Sequence, residues 1–243
     1  MEEFIENTID PSIFCIHDVI NDNSCLYRSL ANTLELRKEN DKIIHYNPPE
    51  NILALDSFQY DGDIQEDVAR ELQNEAYTWV LSNLDKEYPM LGINIMDMIP
   101  NCHEMSVDEY IEYYKFFAGD PVIRKIKNEQ GERTEVIPNR WGSILELYAL
   151  SEIYKIPICV YISLKYDIKN NKIITGKIRN EKPEKGVRFR LSEIVGENYI
   201  NDRPPLFILW RKTQCGPHYM ALYPNNETWL DENHKIKINL IEE

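Results

Sequence analysis

The chain has 243 residues, 43% of them hydrophobic, and 41 acidic against 27 basic side chains give a net charge of −14. That sign repels a phosphate backbone, so the chain reads as no nucleic-acid binder, and a basic protein or peptide is the better-matched partner; the same charge also serves solubility. No apolar run approaches the about 18 residues that a membrane span needs, and the acidic opening Met-Glu-Glu-Phe-Ile-Glu reads as neither a secretory nor a transit leader.

Five scattered cysteines (Cys15, Cys25, Cys102, Cys159 and Cys215) are odd in number, which predicts free thiols in a reducing compartment. With 9 Gly and 13 Pro, no internal repeat and no Pro/Gly/Ser-rich linker, one domain over residues 1–243 is predicted. Its core would cover about 14–224, with a short strand at 235–240. Asn226-Glu-Thr228 matches a glycosylation acceptor, which matters only in a secretory setting.

In chain order, Phe14, Ile16, Val19 and Ile20 suggest a strand or a buried extended lead-in. Leu26, Leu30 and Leu34 recur at i, i+4 and i+8, predicting a helix from Cys25 to about Leu36, with Asn23 and Ser24 as capping residue types. Asn47-Pro-Pro marks a loop within a mixed stretch over 37–60. Ile64, Val68, Leu72, Ala76 and Val80 share a face, predicting a long helix over 63–84 that ends before Tyr88-Pro89. Residues 90–100 are apolar and ambiguous. Ser106-Val-Asp-Glu109 and Ser143-Ile-Leu-Glu146 are capping boxes, opening helices over about 107–117 and 143–154. Between them, residues 119–140 read as a loop with some strand. Ile156-Pro-Ile-Cys-Val-Tyr-Ile162 and Leu206-Phe-Ile-Leu-Trp210 read as buried strands, because both their faces are apolar. Ile173, Ile174, Val187 and Phe189 suggest a hairpin. A strand from His218 to Tyr223 follows the Gly216-Pro217 turn, and Lys235 to Leu240 alternates as a last strand. Helices come early and strands late, which predicts an α+β fold.

The chemistry centres on Asp22-Asn-Ser-Cys25-Leu-Tyr-Arg-Ser-Leu. A cysteine at a helix start lies at the positive end of the dipole beside free N–H groups, and both favour the nucleophilic thiolate; a buried packing cysteine is the plainer alternative. A cysteine nucleophile needs a histidine base from elsewhere in the chain. His17 sits in the lead-in, His45 in a polar loop, His103 after a helix breaker and His234 in a charged turn. His218, at a strand start directly after Gly-Pro, has the most rigid mount. Cys215-x-x-His218, Cys15-x-His17 and Cys102-His103 each offer only two metal ligands, and no CxxC pair or glycine-rich phosphate loop accompanies them, so no metal or cofactor is expected.

The nucleophile stretch resembles that of the ovarian tumour (OTU) family of cysteine proteases. Trp141-Gly-Ser-Ile-Leu-Glu-Leu-Tyr-Ala-Leu-Ser-Glu-Ile-Tyr-Lys-Ile-Pro-Ile-Cys-Val-Tyr161 is similar to that family's helix–strand block, and Gly216-Pro-His218-Tyr-Met-Ala-Leu to its histidine block. The blocks stand in the family's order and span about 22–224. The resemblance implies a papain-like α+β fold, with helices flanking a central, mostly antiparallel sheet. It implies a deubiquitinase in which Cys25 attacks the isopeptide carbonyl and His218 serves as general base. It places Asp22 in the loop shaping the oxyanion site, where backbone N–H groups around Asn23 and Ser24 would donate. Trp141, Gly142 and Tyr219 would meet substrate, and the helix at 63–84 with the region 90–120 would hold ubiquitin or polyubiquitin.

The arginine-rich tail of ubiquitin would suit an acidic cleft. A monomer acting without a membrane partner in the cytoplasm, or in a host cytoplasm, completes the expectation. A catalytically inactive ubiquitin-binding module and a hydrolase of a ubiquitin-like modifier are the alternatives. One departure stands out. Many relatives carry Asn or Asp two residues after the histidine, on the same side of the strand, whereas this chain has Met220. Asp18, Asn21 and Asn225 are the candidates to orient His218 in its place.

Overall fold

The computed structural model describes residues 8–20, 22–40, 63–89, 91–120, 123–128, 131–136, 140–167, 172–173, 185–203, 205–213 and 216–224. The calls at His45, Asn47-Pro-Pro, Cys215, Asn225, His234 and the strand 235–240, with Asn21, lie outside the described residues.

A mostly antiparallel sheet forms the centre. Strand β1 (Phe14–His17) pairs with β10 (Gly216–Pro224), and β10 pairs with β9 (Leu206–Thr213), both antiparallel. Strand β9 lies parallel to β6 (Ile158–Asp167), which also takes β7 (Lys172–Ile173) and β8 (Lys185–Val195) antiparallel. The α-helices are α1 (Cys25–Asn40), α2 (Asp63–Ser82), α3 (Ile95–His103), α4 (Val107–Tyr114) and α5 (Ile144–Tyr154). Two small hairpins lie apart from this sheet: β2 (Glu87–Tyr88) with β3 (Ile93–Asn94), and β4 (Ile123–Asn128) with β5 (Gly131–Val136). The fold is α+β.

The continuous apolar runs have the reason expected of them: the central strands are buried on both faces. In β6, Ile158 and Val160 join the helices in one core, while Cys159 and Tyr161 point into a second. In β9, Ile208 faces the helices and Phe207 and Leu209 face away. Leucines on α1, Leu72 on α2, Met98 on α3, Tyr110 on α4 and Leu147 on α5 all belong to the first core. Among the described residues the five helices, flanking the mostly antiparallel sheet as expected, therefore contribute to one core. The second core is closed from β1 by Phe14 and Ile16, with Ile9 and Ile13 packed against it.

The capping boxes at Ser106 and Ser143 both form. Helix α5 ends where Lys155 turns left-handed (φ 55°), shortly before Pro157 blocks continuation. Within the ambiguous stretch 90–100 lie β3 and the start of α3, and within 119–140 lie β4 and β5. One expectation is overturned. Residues around Ile173 do not form a hairpin with Val187 and Phe189; β7 and β8 each pair with β6 instead. The ten-residue β6, apolar on both faces along its first half, needs partners on both edges, and β8 runs along its full length.

Candidate active site

Three segments bring the site together. The first is the turn before α1. The Asp22 carboxylate accepts the Ser24 backbone N–H at 2.8 Å and also the Ser24 hydroxyl. This local ring caps the helix start. The Cys25 N–H bonds the Asp22 carbonyl at 3.3 Å, and the helix begins with Arg28 N–H on the Ser24 carbonyl at 3.0 Å. Asp22 thus ties Ser24 into the turn that opens α1. The two oxyanion candidates fare differently. The Ser24 N–H is committed to Asp22, whereas the Asn23 N–H has no partner among the described residues.

The second segment is β10. Tyr219 donates its backbone N–H to Cys25 Sγ at 3.4 Å, which sets the strand against the helix start across 194 positions of sequence. On β10, Tyr219 packs toward the helices, while Met220 and Leu222 point into the second core. His218 shares the side of Met220 by strand alternation. It is buried, 2% exposed.

The third segment is the end of β1. His218 Nε2 lies 2.6 Å from Asp18 Oδ1. Strand β1 pairs His17 with Ala221, so one further step places Asp18 beside Met220, on the face that carries His218. The acid is supplied by the neighbouring strand. Position 220 instead carries a fully buried methionine, packed among Phe14, Leu209 and Leu222, where a free carboxylate would be costly. Facing a carboxylate oxygen, Nε2 carries the proton, which leaves Nδ1 as the acceptor of the neutral ring. Nδ1 is buried and has no hydrogen-bond partner among the described residues.

The thiol departs from expectation. Burial is the largest influence and pushes Cys25 up to about 12. Backbone N–H groups, led by that of Tyr219, pull the other way, and the Asp22 charge adds to the rise. At 2% exposure the loss of solvation outweighs the helix start, so the resting sulfur is a thiol and its ionisation requires a base.

Trp141 and Gly142 stand further back. The Trp141 carbonyl accepts the Tyr114 hydroxyl at 2.8 Å. Gly142 is buried, and a Cβ there would come within 2.3 Å of Leu26 Cδ2. The missing side chain lets the start of α5 press on α1 one residue beyond Cys25. Below it lies a buried polar cluster that the sequence did not suggest. His103 Nε2 is 2.9 Å from Glu146 Oε1, Tyr110 donates to the same oxygen at 2.9 Å, and Tyr114 Oη lies 2.7 Å from His103 Nδ1. The second Glu146 oxygen accepts the Ser143 N–H at 2.7 Å, so this carboxylate closes a capping box and anchors α3 and α4 together. Among the described residues no group of His, Cys, Asp and Glu is arranged to hold a metal ion, and no helix is long and apolar enough to cross a membrane.

The α+β sheet thus carries a histidine–aspartate pair, and the residue after that histidine donates its N–H to a buried cysteine at a helix start. The chain is similar to solved OTU-domain structures. The viral OTU domain protease from Taggert virus is 15% identical over 90% of this chain and 86% of that one, with a TM-score of 0.42. The OTU domain of OTUD1 is 14% identical over 91% of each chain (TM-score 0.40). An OTU deubiquitinase from Wolbachia pipientis, solved bound to ubiquitin, is 14% identical over 89% of this chain and 99% of that one (TM-score 0.39). No family model and no curated protein matches the chain.

Proposed function

We propose that the chain is a cysteine-type deubiquitinase that hydrolyses the isopeptide bond between the ubiquitin C-terminus and a lysine. The observation that carries the reading is the pairing of His218 with Asp18, which leaves a buried, unpartnered Nδ1 on the residue next to the one whose N–H reaches Cys25 Sγ. Ubiquitin is proposed as the modifier because of the ordered blocks around Cys25, Trp141 and His218.

In this reading Nδ1 takes the thiol proton as the sulfur attacks the carbonyl carbon. Negative charge collects on the carbonyl oxygen and meets the uncommitted N–H of Asn23 at the turn. The imidazolium, held through Nε2 by Asp18, returns the proton to the departing lysine amine. Water, deprotonated by the same ring, then hydrolyses the thioester. The turn acts by its N–H groups, since the Asp22 carboxylate is itself an acceptor. The acidic surface would receive the basic tail of ubiquitin.

The test is incubation with ubiquitin bearing a C-terminal electrophile, followed by a panel of linked chains. The reading requires a covalent adduct that disappears in Cys25→Ala, and cleavage of at least one chain type. An adduct that persists in Cys25→Ala, or no adduct at all, refutes it. The buried, high-lying thiol favours one second reading, a ubiquitin-binding module without catalysis. Saturable ubiquitin binding that Cys25→Ala leaves intact, without adduct or cleavage, would establish that instead.

A further inference from the structure

We infer that Arg28, one turn into α1, is a positioning residue that holds the nucleophile turn in its oxyanion-binding shape; the inference rests on the hydrolase reading above. Arg28 is 3% exposed, and its guanidinium faces back toward the turn rather than out to solvent. Nε donates to Ser24 Oγ at 2.7 Å and to Asp22 Oδ2 at 3.3 Å, and Nη2 donates to the same Asp22 oxygen at 3.1 Å. With one Asp22 oxygen taken by Ser24 and the other by Arg28, the carboxylate cannot rotate without breaking bonds to both. The Ser24 N–H is thereby kept turned toward Asp22, and the rest of the turn, including the Asn23 N–H, is fixed with it.

Stability alone is a poor account of this arrangement. Arg28 Nη1 is buried without a hydrogen-bond partner among the described residues, a desolvated donor that a purely structural role would avoid. The geometry continues outward. Nη2 also reaches Glu66 Oε2 at 3.3 Å, Glu66 pairs with Arg70 at 2.6 Å, and Arg70 pairs with Asp120 at 2.6 Å. Asp120 belongs to a short loop that closes on the turn from behind: a Cβ on Gly119 would lie 2.8 Å from Phe117 Cε1 and 3.0 Å from Asp22 Oδ2. Arg140 ties the same loop down by donating to the carbonyls of Phe117 and Asp120 at 2.8 and 2.7 Å. Asp22 is thus gripped by a planar fork on one side and backed by Gly119 on the other.

The test compares two reactions of the same cysteine in Arg28→Gln, Arg28→Lys and Gly119→Ala. One is hydrolysis of a ubiquitin C-terminal amide, which passes through an oxyanion. The other is labelling by ubiquitin carrying a C-terminal alkyne. There the thiol adds across the triple bond: a C–S bond forms, the neighbouring carbon takes the proton, and no oxyanion arises. The ratio of the two rates is independent of the folded fraction, so a poorly folding variant still reports.

For Arg28→Gln, kcat for the amide is expected to fall about 10- to 100-fold, the usual effect of removing a residue that orients a reacting group, with KM and the alkyne labelling rate within about twofold to threefold of wild type, an order-of-magnitude margin. Lysine is expected not to restore kcat, because it keeps the charge and loses the fork. Gly119→Ala, whose methyl meets both Phe117 and Asp22, should lower the same ratio by disturbing the backing of the turn. An unchanged ratio in Arg28→Gln, or full rescue by lysine, overturns the assignment. A wild type that forms the alkyne adduct but hydrolyses no ubiquitin amide removes the hydrolase reading instead, and the positioning role with it.

Discussion

Asp18→Ala isolates the contact that organises the proposed base. The Asp18–His218 bond is 2.6 Å long between side chains that are 17% and 3% exposed, so solvent offers the ring little replacement. A hydrogen bond to a charged partner contributes about 1.5–3 kcal/mol, and each 1.36 kcal/mol corresponds to about tenfold in rate. Removing it should therefore lower kcat/KM for ubiquitin amide hydrolysis by about 10- to 150-fold, provided the ring is charged in the transition state. Asn should do much better than Ala. Its amide oxygen accepts the same Nε2–H in a neutral bond, leaving a loss of about five- to tenfold from the missing charge. Asp18→Ala strands the buried Nε2–H and should also cost about 1–3 kcal/mol of stability, whereas Asn keeps an acceptor and should hold the thermal midpoint, so rates are compared per folded enzyme. The assay is initial-rate hydrolysis of a fluorogenic ubiquitin amide, with melting monitored in parallel. If Asp18→Ala stays within twofold of wild type, or if Ala and Asn are equivalent, Asp18 does not orient His218 and the proposed base loses its support.

Three further outcomes follow from the same geometry. In His218→Ala the thiol loses its base and should titrate as a buried cysteine near 12, so its alkylation by iodoacetamide should rise about tenfold per pH unit through pH 10 without a plateau; a plateau near neutral pH would contradict that. Gly142→Ala forces a methyl group to within 2.3 Å of Leu26 Cδ2, an overpacking worth about 1–3 kcal/mol, and the double variant with Leu26→Ala should lose less stability than the two single variants summed, measured by urea unfolding. Burial alone would raise the Glu146 carboxyl, but His103 and the Ser143 bonds hold it below the ordinary glutamate range. Its contribution to stability is thus complete above the unfolded-state value and is lost as the pH falls through the lower folded-state value. The urea midpoint should drop on that acid limb, and Glu146→Gln should flatten the drop.

The parts of this fold that could be read in advance are those whose cause is local. A capping box needs only four residues, and both boxes form at Ser106 and Ser143. A strand buried on both faces carries its signature in its own side chains, as Ile158 to Tyr161 and Leu206 to Leu209 do. What escaped depends on register between distant strands. The partner of His218 is 200 positions away and becomes legible only once β1 is known to lie against β10 with His17 opposite Ala221. In sequence, Asp18 is merely an acid after Phe-Cys-Ile-His, one of several candidates. The same holds for the thiol. A helix start argues for an acidic cysteine, but whether the dipole or desolvation prevails depends on how deeply the neighbouring strand buries the sulfur, and Tyr219 buries it almost fully. Met220 is therefore a change of supplier: the apolar face of β10 excludes a carboxylate there, and the adjacent strand, one residue past its last pair, delivers one from the sheet edge.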